Sequence, residues 1–156
     1  MNRIVENSDI QGKFFTTSNF REWTALIPAA GKGSRLGFDS PKILYPINGK
    51  TILEHLVNLL SAYCHEFVFI LSPSGKAQVE PVLKKLLGDR YIICVQEKPK
   101  GMADAIAKAE YSVKTKNTLI VWGDQVCLEK ETIRLATALH EEAKVSLSLP
   151  TYLKED

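Results

Sequence analysis

Cysteine is scarce in this chain, and its placement argues against pairing: Cys64, Cys94 and Cys127 are odd in number, far apart and set in apolar stretches. That spacing excludes a disulfide framework or a CxxC metal knuckle and reads as three buried thiols in a reducing compartment. Long apolar runs are missing too. The strongest, Phe67 to Leu71, falls far short of the ~20 residues that cross a bilayer. The first residues include Asn2, Glu6 and Asp9 without an apolar stretch of secretory length. A cytoplasmic protein with no membrane partner is expected. Charge of one sign is also lacking, since 20 basic and 18 acidic side chains leave only +2. So weak a field excludes sequence-independent nucleic-acid binding. His55, His65 and His140 lack metal-ligand spacing, and no repeat, linker or low-complexity tract interrupts the chain.

What remains is ordinary globular material, 45% hydrophobic and 24% charged over 156 residues. A domain of this size buries roughly 70% of the surface its unfolded chain exposes, so it needs no staples. Residues 1–22 are polar and weakly patterned and read as an extension, with an aromatic segment at Phe14, Phe15 and Phe20. Residues 23–156 form the domain. From Thr24 onward short apolar runs alternate with amphipathic stretches, as in parallel strands joined by crossover helices. Strands are expected at 24–29, 66–72, 91–96, 117–123 and 144–149, continuous enough in apolar character to be covered on both faces.

Helices are expected between the strands. Ile52, Leu56, Leu59 and Leu60 repeat at helical spacing behind a Thr51/Glu54 capping box. Val79, Val82, Leu83, Leu86 and Leu87 form a second stripe closed by Gly88, with Pro81 tolerable in the first turn. Residues 103–109 are helix-prone, and 131–143 carry Ile133, Leu135, Ala136 and Leu139 as a buried stripe.

The most informative stretch follows the first strand, Pro28-Ala29-Ala30-Gly31-Lys32-Gly33-Ser34-Arg35-Leu36-Gly37, and then Pro41-Lys42. Small residues let backbone N–H groups approach anionic oxygens, while Arg35 presents a planar fork and Lys42 a compact charge. The spacing G-x-G-x-x-x-G misses the dinucleotide fingerprint, and no Gly-Lys-Ser/Thr triplet closes a Walker loop. Asp124 ends the apolar run Leu119 to Trp122 at the carboxyl end of a strand, where open α/β sheets place ligands. A lone Asp there is chemically adequate as one ligand of a hard cation. Gln96 offers an amide suited to a pyrimidine edge, with Gly101 leaving room beside it.

Residues 26–44, LIPAAGKGSRLGFDSPKIL, resemble the signature of the nucleotidyltransferases that join a nucleoside triphosphate to a sugar 1-phosphate. Tyr45 to Lys50 with Thr51 to Glu54 resembles that family's P-x-x-G-K-P segment, and Gln96 to Ala105 its base-recognition loop. Trp122-Gly123-Asp124 stands where the family carries its metal-binding Gly-Asp. The four segments occur in family order over residues 24–150. They are most similar to the uridylyltransferase domain acting on N-acetylglucosamine 1-phosphate, although thymidylyl-, cytidylyl- and guanylyl-transferring relatives share most of them.

The resemblance implies a three-layer α/β/α fold with a mostly parallel Rossmann-like sheet of the nucleotide-diphospho-sugar transferase type. It also implies nucleotidyl transfer, with UTP favoured, to a sugar 1-phosphate, releasing pyrophosphate. Ala29, Ala30, Gly31, Gly33 and Ser34 would bind nucleotide, Gln96 and Gly101 would read the base, Arg35 and Lys42 would be catalytic, and Asp124 would hold Mg2+. A homo-oligomer is left open. Met102 departs from the family's small hydroxyl residue, and Trp122 from a Tyr or aliphatic residue. The family continues beyond the position of Asp156 into a sugar-binding half with a second metal ligand. The expectation is therefore a truncated, nucleotide-binding half of a longer enzyme, or a short relative completed by a partner subunit. Two rivals stand beside it. One is the methylerythritol-type cytidylyltransferase, whose arginine-bearing loop is not seen in Gln96 to Ala105; the other is a non-catalytic nucleotide-binding regulatory module.

Overall fold

The computed structural model describes residues 19–33, 36–98 and 100–150. Most of the expected 1–22 extension, Phe14 and Phe15 included, lies outside the described residues. Phe20 opens a short 3-10 turn and sits edge-on to His65 with ring centroids 5.8 Å apart.

A four-stranded sheet of wholly parallel strands organises the chain. It comprises β1 (Trp23–Pro28), β4 (Glu66–Leu71), β5 (Tyr91–Val95) and β6 (Asn117–Ile120), in the order β5-β4-β1-β6. Thr24 pairs with Glu66 on one side of β1 and with Thr118 on the other. A small antiparallel hairpin, β2 (Pro46–Ile47) and β3 (Lys50–Thr51), turns through Asn48-Gly49, both at positive φ. That dipeptide is a strong hairpin signal, and the sequence reading passed over it.

Four helices cover the sheet: α1 (Ile52–Leu60), α2 (Pro73–Leu87), α3 (Met102–Lys108) and α4 (Lys130–Ala143). Alternate side chains of the strands sort the layers. Trp23, Ala25, Ile27, Phe67, Phe69 and Leu71 pack against Leu53, Leu56, Val79, Leu83 and Ile133, which belong to α1, α2 and α4. Leu26, Val68 and Ile70 face the other way, onto Ala105 and Ala109 at α3. The three-layer expectation holds, and it explains the unbroken apolar character of β1 and β4. Phe67 and Phe69 are fully buried, each stabilising the fold by about 1.5–3 kcal/mol.

Four expectations need correction. No strand forms at 144–149: Val145, Leu147 and Leu149 are 38%, 69% and 73% exposed, because an alternating pattern makes a strand only where a neighbour accepts its ladder. Pro81 lies in the middle of α2, which starts earlier than the apolar stripe suggested, with Ser72 as N-cap and Pro73 at its head. It is tolerated because it and Ala77, whose carbonyl loses a donor, are exposed to water. In α4 the buried positions are Ile133, Thr137 and Ala138, with Leu135, Ala136 and Leu139 only half-buried. Of the cysteines, Cys64 is buried and its thiol is pushed up to about 12 by desolvation, Cys94 is half-buried and Cys127 is exposed.

From β1 the chain steps outward through β4 to β5, then returns to the far side of β1 for β6. The order reverses there, so the carboxyl ends of β1 and β6 flank the crevice that such sheets use for ligands. No helix among the described residues is long and apolar enough to cross a membrane.

The capping box at α1 forms as expected: Glu54 N–H donates to Thr51 Oγ1 at 3.2 Å, and Thr51 N–H donates to Glu54 Oε2 at 2.7 Å. The Thr51 backbone N–H first, and then the Thr51 hydroxyl, which donates to the same Glu54 Oε2 at 2.8 Å, hold the Glu54 carboxyl below its ordinary value. A depressed carboxyl adds stability above its unfolded pKa and loses it as pH falls through the folded one. Thr51→Ala is expected to cost about 1 kcal/mol in urea denaturation at neutral pH. The gap between the natural protein and Glu54→Gln should close at strongly acid pH; a gap that persists there would remove the cap's electrostatic part.

Candidate active site

The site begins where β1 ends. Ala29 N–H donates to Ile70 O at 2.8 Å, keeping the turn attached to β4 for one more residue. The chain then loops out and is pinned at its neck, where Lys42 N–H donates to Gly31 O at 3.2 Å and Gly33 N–H to Ser40 O at 3.4 Å. Those two bonds return Lys42 to the end of β1. It opens a 3-10 turn, Lys42–Leu44, anchored by the buried Ile43.

On the other side, the segment after β6 stays attached to β1. Val121 N–H donates to Leu26 O at 3.0 Å and Gly123 N–H to Pro28 O at 3.2 Å. The approach at Gly123 is so close that a Cβ there would lie 2.9 Å from the Ala29 Cβ and 3.0 Å from the Pro28 carbonyl oxygen. Only glycine permits it. One residue on, the Asp124 carboxylate receives a hydrogen bond from Lys42 Nζ at 2.6 Å. These side chains are 40% and 47% exposed, and ion pairs this open contribute about 0–1 kcal/mol. A ligand separates them at little cost.

The third wall comes from the chain after β5. Gln96 N–H donates to Leu71 O at 2.8 Å, and its side chain is buried at 5% exposure. Its Nε2 donates to Asp104 Oδ2 at 2.8 Å and to Gly101 O at 3.3 Å. Both partners only accept, so the amide nitrogen must face them and the carbonyl oxygen is the group left over. The sequence reading gave Gln96 a donor and an acceptor for a ligand; Asp104 takes the donor. Gly101, at φ +96°, turns the chain into α3.

These three walls enclose a cavity of about 480 Å³, lined by Ala29, Ala30, Gly31, Lys42, Gln96, Gly101 and Asp124. Its size is that of a small-ligand site. Residues separated by up to 95 positions in sequence are thus brought together as the motifs anticipated. Gly33 does not line the cavity: it is buried in the loop, with its carbonyl accepting from Leu36 and Phe38. Ser34 and Arg35 lie outside the described residues. Ile43, Ala105, Trp122 and Met102 also line the walls, and Asp104 sits behind Gln96; the motifs contained all of these without singling any out as a site residue. Ala105 was within reach of sequence reasoning, since it stands one helical turn after Gly101.

Comparison with known proteins gives the family and the fold. Residues 25–156 match the model of the MobA-like NTP transferase domain. The bifunctional protein GlmU of Exiguobacterium sp. is 33% identical over 134 residues, covering 85% of this chain and 29% of that protein. The chain thus spans under a third of the length of such relatives. Among solved structures, the inositol-1-phosphate CTP transferase of T. maritima is similar at TM-score 0.60 and 24% identity, over 68% of this chain and 44% of that one. A protein provisionally assigned as a glucose-1-phosphate thymidylyltransferase from Bacillus anthracis is similar at TM-score 0.65 and 21% identity, over 78% and 50%. At those identities the two structures speak for the fold alone.

Adding a methyl group at the tightest contact tests the geometry. Gly123→Ala is expected to destabilise the chain by about 1–3 kcal/mol, as overpacking does, and to displace Asp124. Urea denaturation checks the first effect. An unchanged midpoint would mean that the β1 and β6 ends are not held this closely.

Proposed function

The chain belongs to the MobA-like NTP transferase family, and from that premise we propose that it carries the nucleotide-binding part of a sugar-phosphate nucleotidyltransferase. Residues 23–156 make up this part, and residues 1–22 an extension ahead of it. The reaction moves a nucleotidyl group from a nucleoside triphosphate, UTP favoured, to a sugar 1-phosphate and releases pyrophosphate. One observation carries the reading: Lys42 and Asp124, 82 residues apart, meet at 2.6 Å in a cavity whose other end holds the oriented amide of Gln96.

The amide supports the base preference. With Nε2 committed to Asp104 and Gly101, Gln96 offers a ligand only its carbonyl oxygen. Uracil and thymine carry an N–H at ring position N3, whereas cytosine has a lone pair at that atom. An acceptor fixed in a buried site favours the former, because an unpaired polar group there costs about 1–3 kcal/mol. Where Gln96 faces N3 the cytidylyl alternative is correspondingly disfavoured; cytosine's own donor is the exocyclic N4 amino group, displaced from that position.

At the other end the small residues Ala29 to Gly31 leave room for the phosphates. In-line attack by the sugar phosphate oxygen on the α-phosphorus needs no covalent enzyme intermediate, so the protein's work is positioning and charge neutralisation. Lys42 meets charge at the α-phosphate, and Arg35 steadies the leaving pyrophosphate. Among the described residues no three His, Cys, Asp or Glu side chains cluster. The exposed carboxylate of Asp124 nevertheless fits Mg2+, which takes one or two protein carboxylates and fills its shell with phosphate oxygens and water. Bound there, the ion would supply further neutralisation of phosphate charge. Asp124 is then the group that Lys42 releases when nucleotide enters.

Calorimetric titration with UTP tests these roles. Lys42→Ala is expected to weaken binding about 10- to 150-fold, the worth of one charge-assisted hydrogen bond, and Asp124→Ala to abolish its magnesium dependence. Asp104→Ala frees the Gln96 amide to turn and should reduce the preference for UTP over CTP by about tenfold. Unchanged affinity in both Lys42→Ala and Asp124→Ala would overturn the assignment. In the whole enzyme the same two substitutions, and Arg35→Ala, should each cut turnover sharply.

A further inference from the structure

A second cavity, of about 320 Å³, lies between α1 and the segment leading from β6 into α4. The proposed nucleotide site makes no use of it. Its apolar walls are Leu56, Leu59, Val126 and Leu128. Of the side chains lining it, Lys130 alone carries a fixed charge and none is a carboxylate. His55 adds no donor toward the cavity while its ring is neutral: its Nε2, 2.9 Å from the Ile47 carbonyl, must hold the proton, which leaves Nδ1 an acceptor. A cavity at the small end of the ligand-site range, lined half by aliphatic side chains and half by polar ones, Asn58 and Gln125 among them, with one cation in its lining, suits an anion with a compact apolar body.

The two cavities share a wall. Trp122, Gly123 and Asp124 border the larger one, and Gln125 and Val126 the smaller. Gln125 joins them: its Oε1 accepts from Trp122 N–H at 2.9 Å, while Val126 N–H donates to Asp124 O at 3.0 Å. The Gln125 carboxamide cannot turn to an occupant of the small cavity and keep its present bond to the Trp122 amide. That exclusive choice is the differential contact a coupling between sites requires.

We propose that this cavity is an effector site for a small anion with an apolar body, and that its occupancy is transmitted through Gln125 to Asp124. The head group is a carboxylate or a phosphate monoester, both of which pair with Lys130. The site adds regulation to the chain and does not depend on which nucleotide the larger cavity takes.

Titration of the full chain with benzoate and, separately, phenyl phosphate, followed by amide NMR, tests the proposal and ranks the two head groups. Saturable shifts are expected at Gln125, Val126 and Leu128, extending to Asp124. Lys130→Met should weaken binding of the better probe by about fivefold or more, and benzyl alcohol, with the ring but no charge, should bind comparably weakly. Leu59→Trp fills the cavity and should abolish the shifts. Gln125→Leu should weaken probe binding and, at saturating probe, erase the Asp124 shift. With the probe saturating, UTP affinity should change by at least about fivefold, the lower range of measured couplings. Absence of saturable shifts with either anion, or shifts that survive Leu59→Trp, would overturn the site. Probe binding that leaves the Asp124 amide unmoved would overturn the coupling. Because the probe-shift arms contain no nucleotide, failure of UTP to bind counts against the nucleotide reading alone, whereas bound UTP whose affinity the probe leaves unchanged would overturn the coupling.

Discussion

The carboxyl ends of β1 and β6 are held together by the bond from Gly123 N–H to the Pro28 carbonyl, and the rest of the site is hung on that closeness. Adjacent strands run about 4.8 Å apart, so the residues just past their ends emerge side by side. On the β1 side this is Ala29 and the loop that returns Lys42; on the β6 side it is Asp124. A side chain at position 123 would collide with Ala29, which makes glycine a packing requirement at the floor of the cavity. The parallel sheet supplies the remainder of the geometry, because the reversal of strand order leaves an uncovered crevice at this place and not elsewhere along the sheet's edge.

The two ends of the cavity differ in stiffness. Gln96 is buried and doubly tied through its nitrogen, so the acceptor it presents is set before any ligand arrives. Such preorganisation reduces what binding spends on ordering a group. Lys42 and Asp124 are exposed and joined only to each other among the described residues, a contact that water and phosphate compete with easily. A fixed end and an end that rearranges suit the nucleotidyl transfer proposed above, where the base would be identified and the phosphates would move.

The segment from Trp122 to Lys130 has two faces. One borders the larger cavity through Asp124, and the other borders the smaller through Gln125 and Leu128. With α4 packed on the core through Ile133, this short connection is the covalent path between β6 and the helix. Gln125 and Val126 are tied locally, Gln125 Oε1 accepting from Trp122 N–H and Val126 N–H donating to Asp124 O, and a few local bonds are what a small ligand is able to rearrange.

Reading the chain alone was enough for the α/β class, four of the five expected strands, the α1 capping box and the cluster of Ala29 to Gly31, Lys42, Gln96, Gly101 and Asp124. These are legible because apolar continuity, cap chemistry and small-residue loops are local consequences of side-chain type, and local patterns survive in one dimension. Tertiary structure decided the remainder. Residues 144–149 have strand-like alternation but pair with no strand of the sheet, and Pro81 is acceptable in mid-helix only because its face is wet. Gln96 presents an acceptor alone because Asp104, eight residues away, occupies its donor. Hydrogen-bond ownership and burial are properties of pairs of residues in space, and no residue carries them by itself.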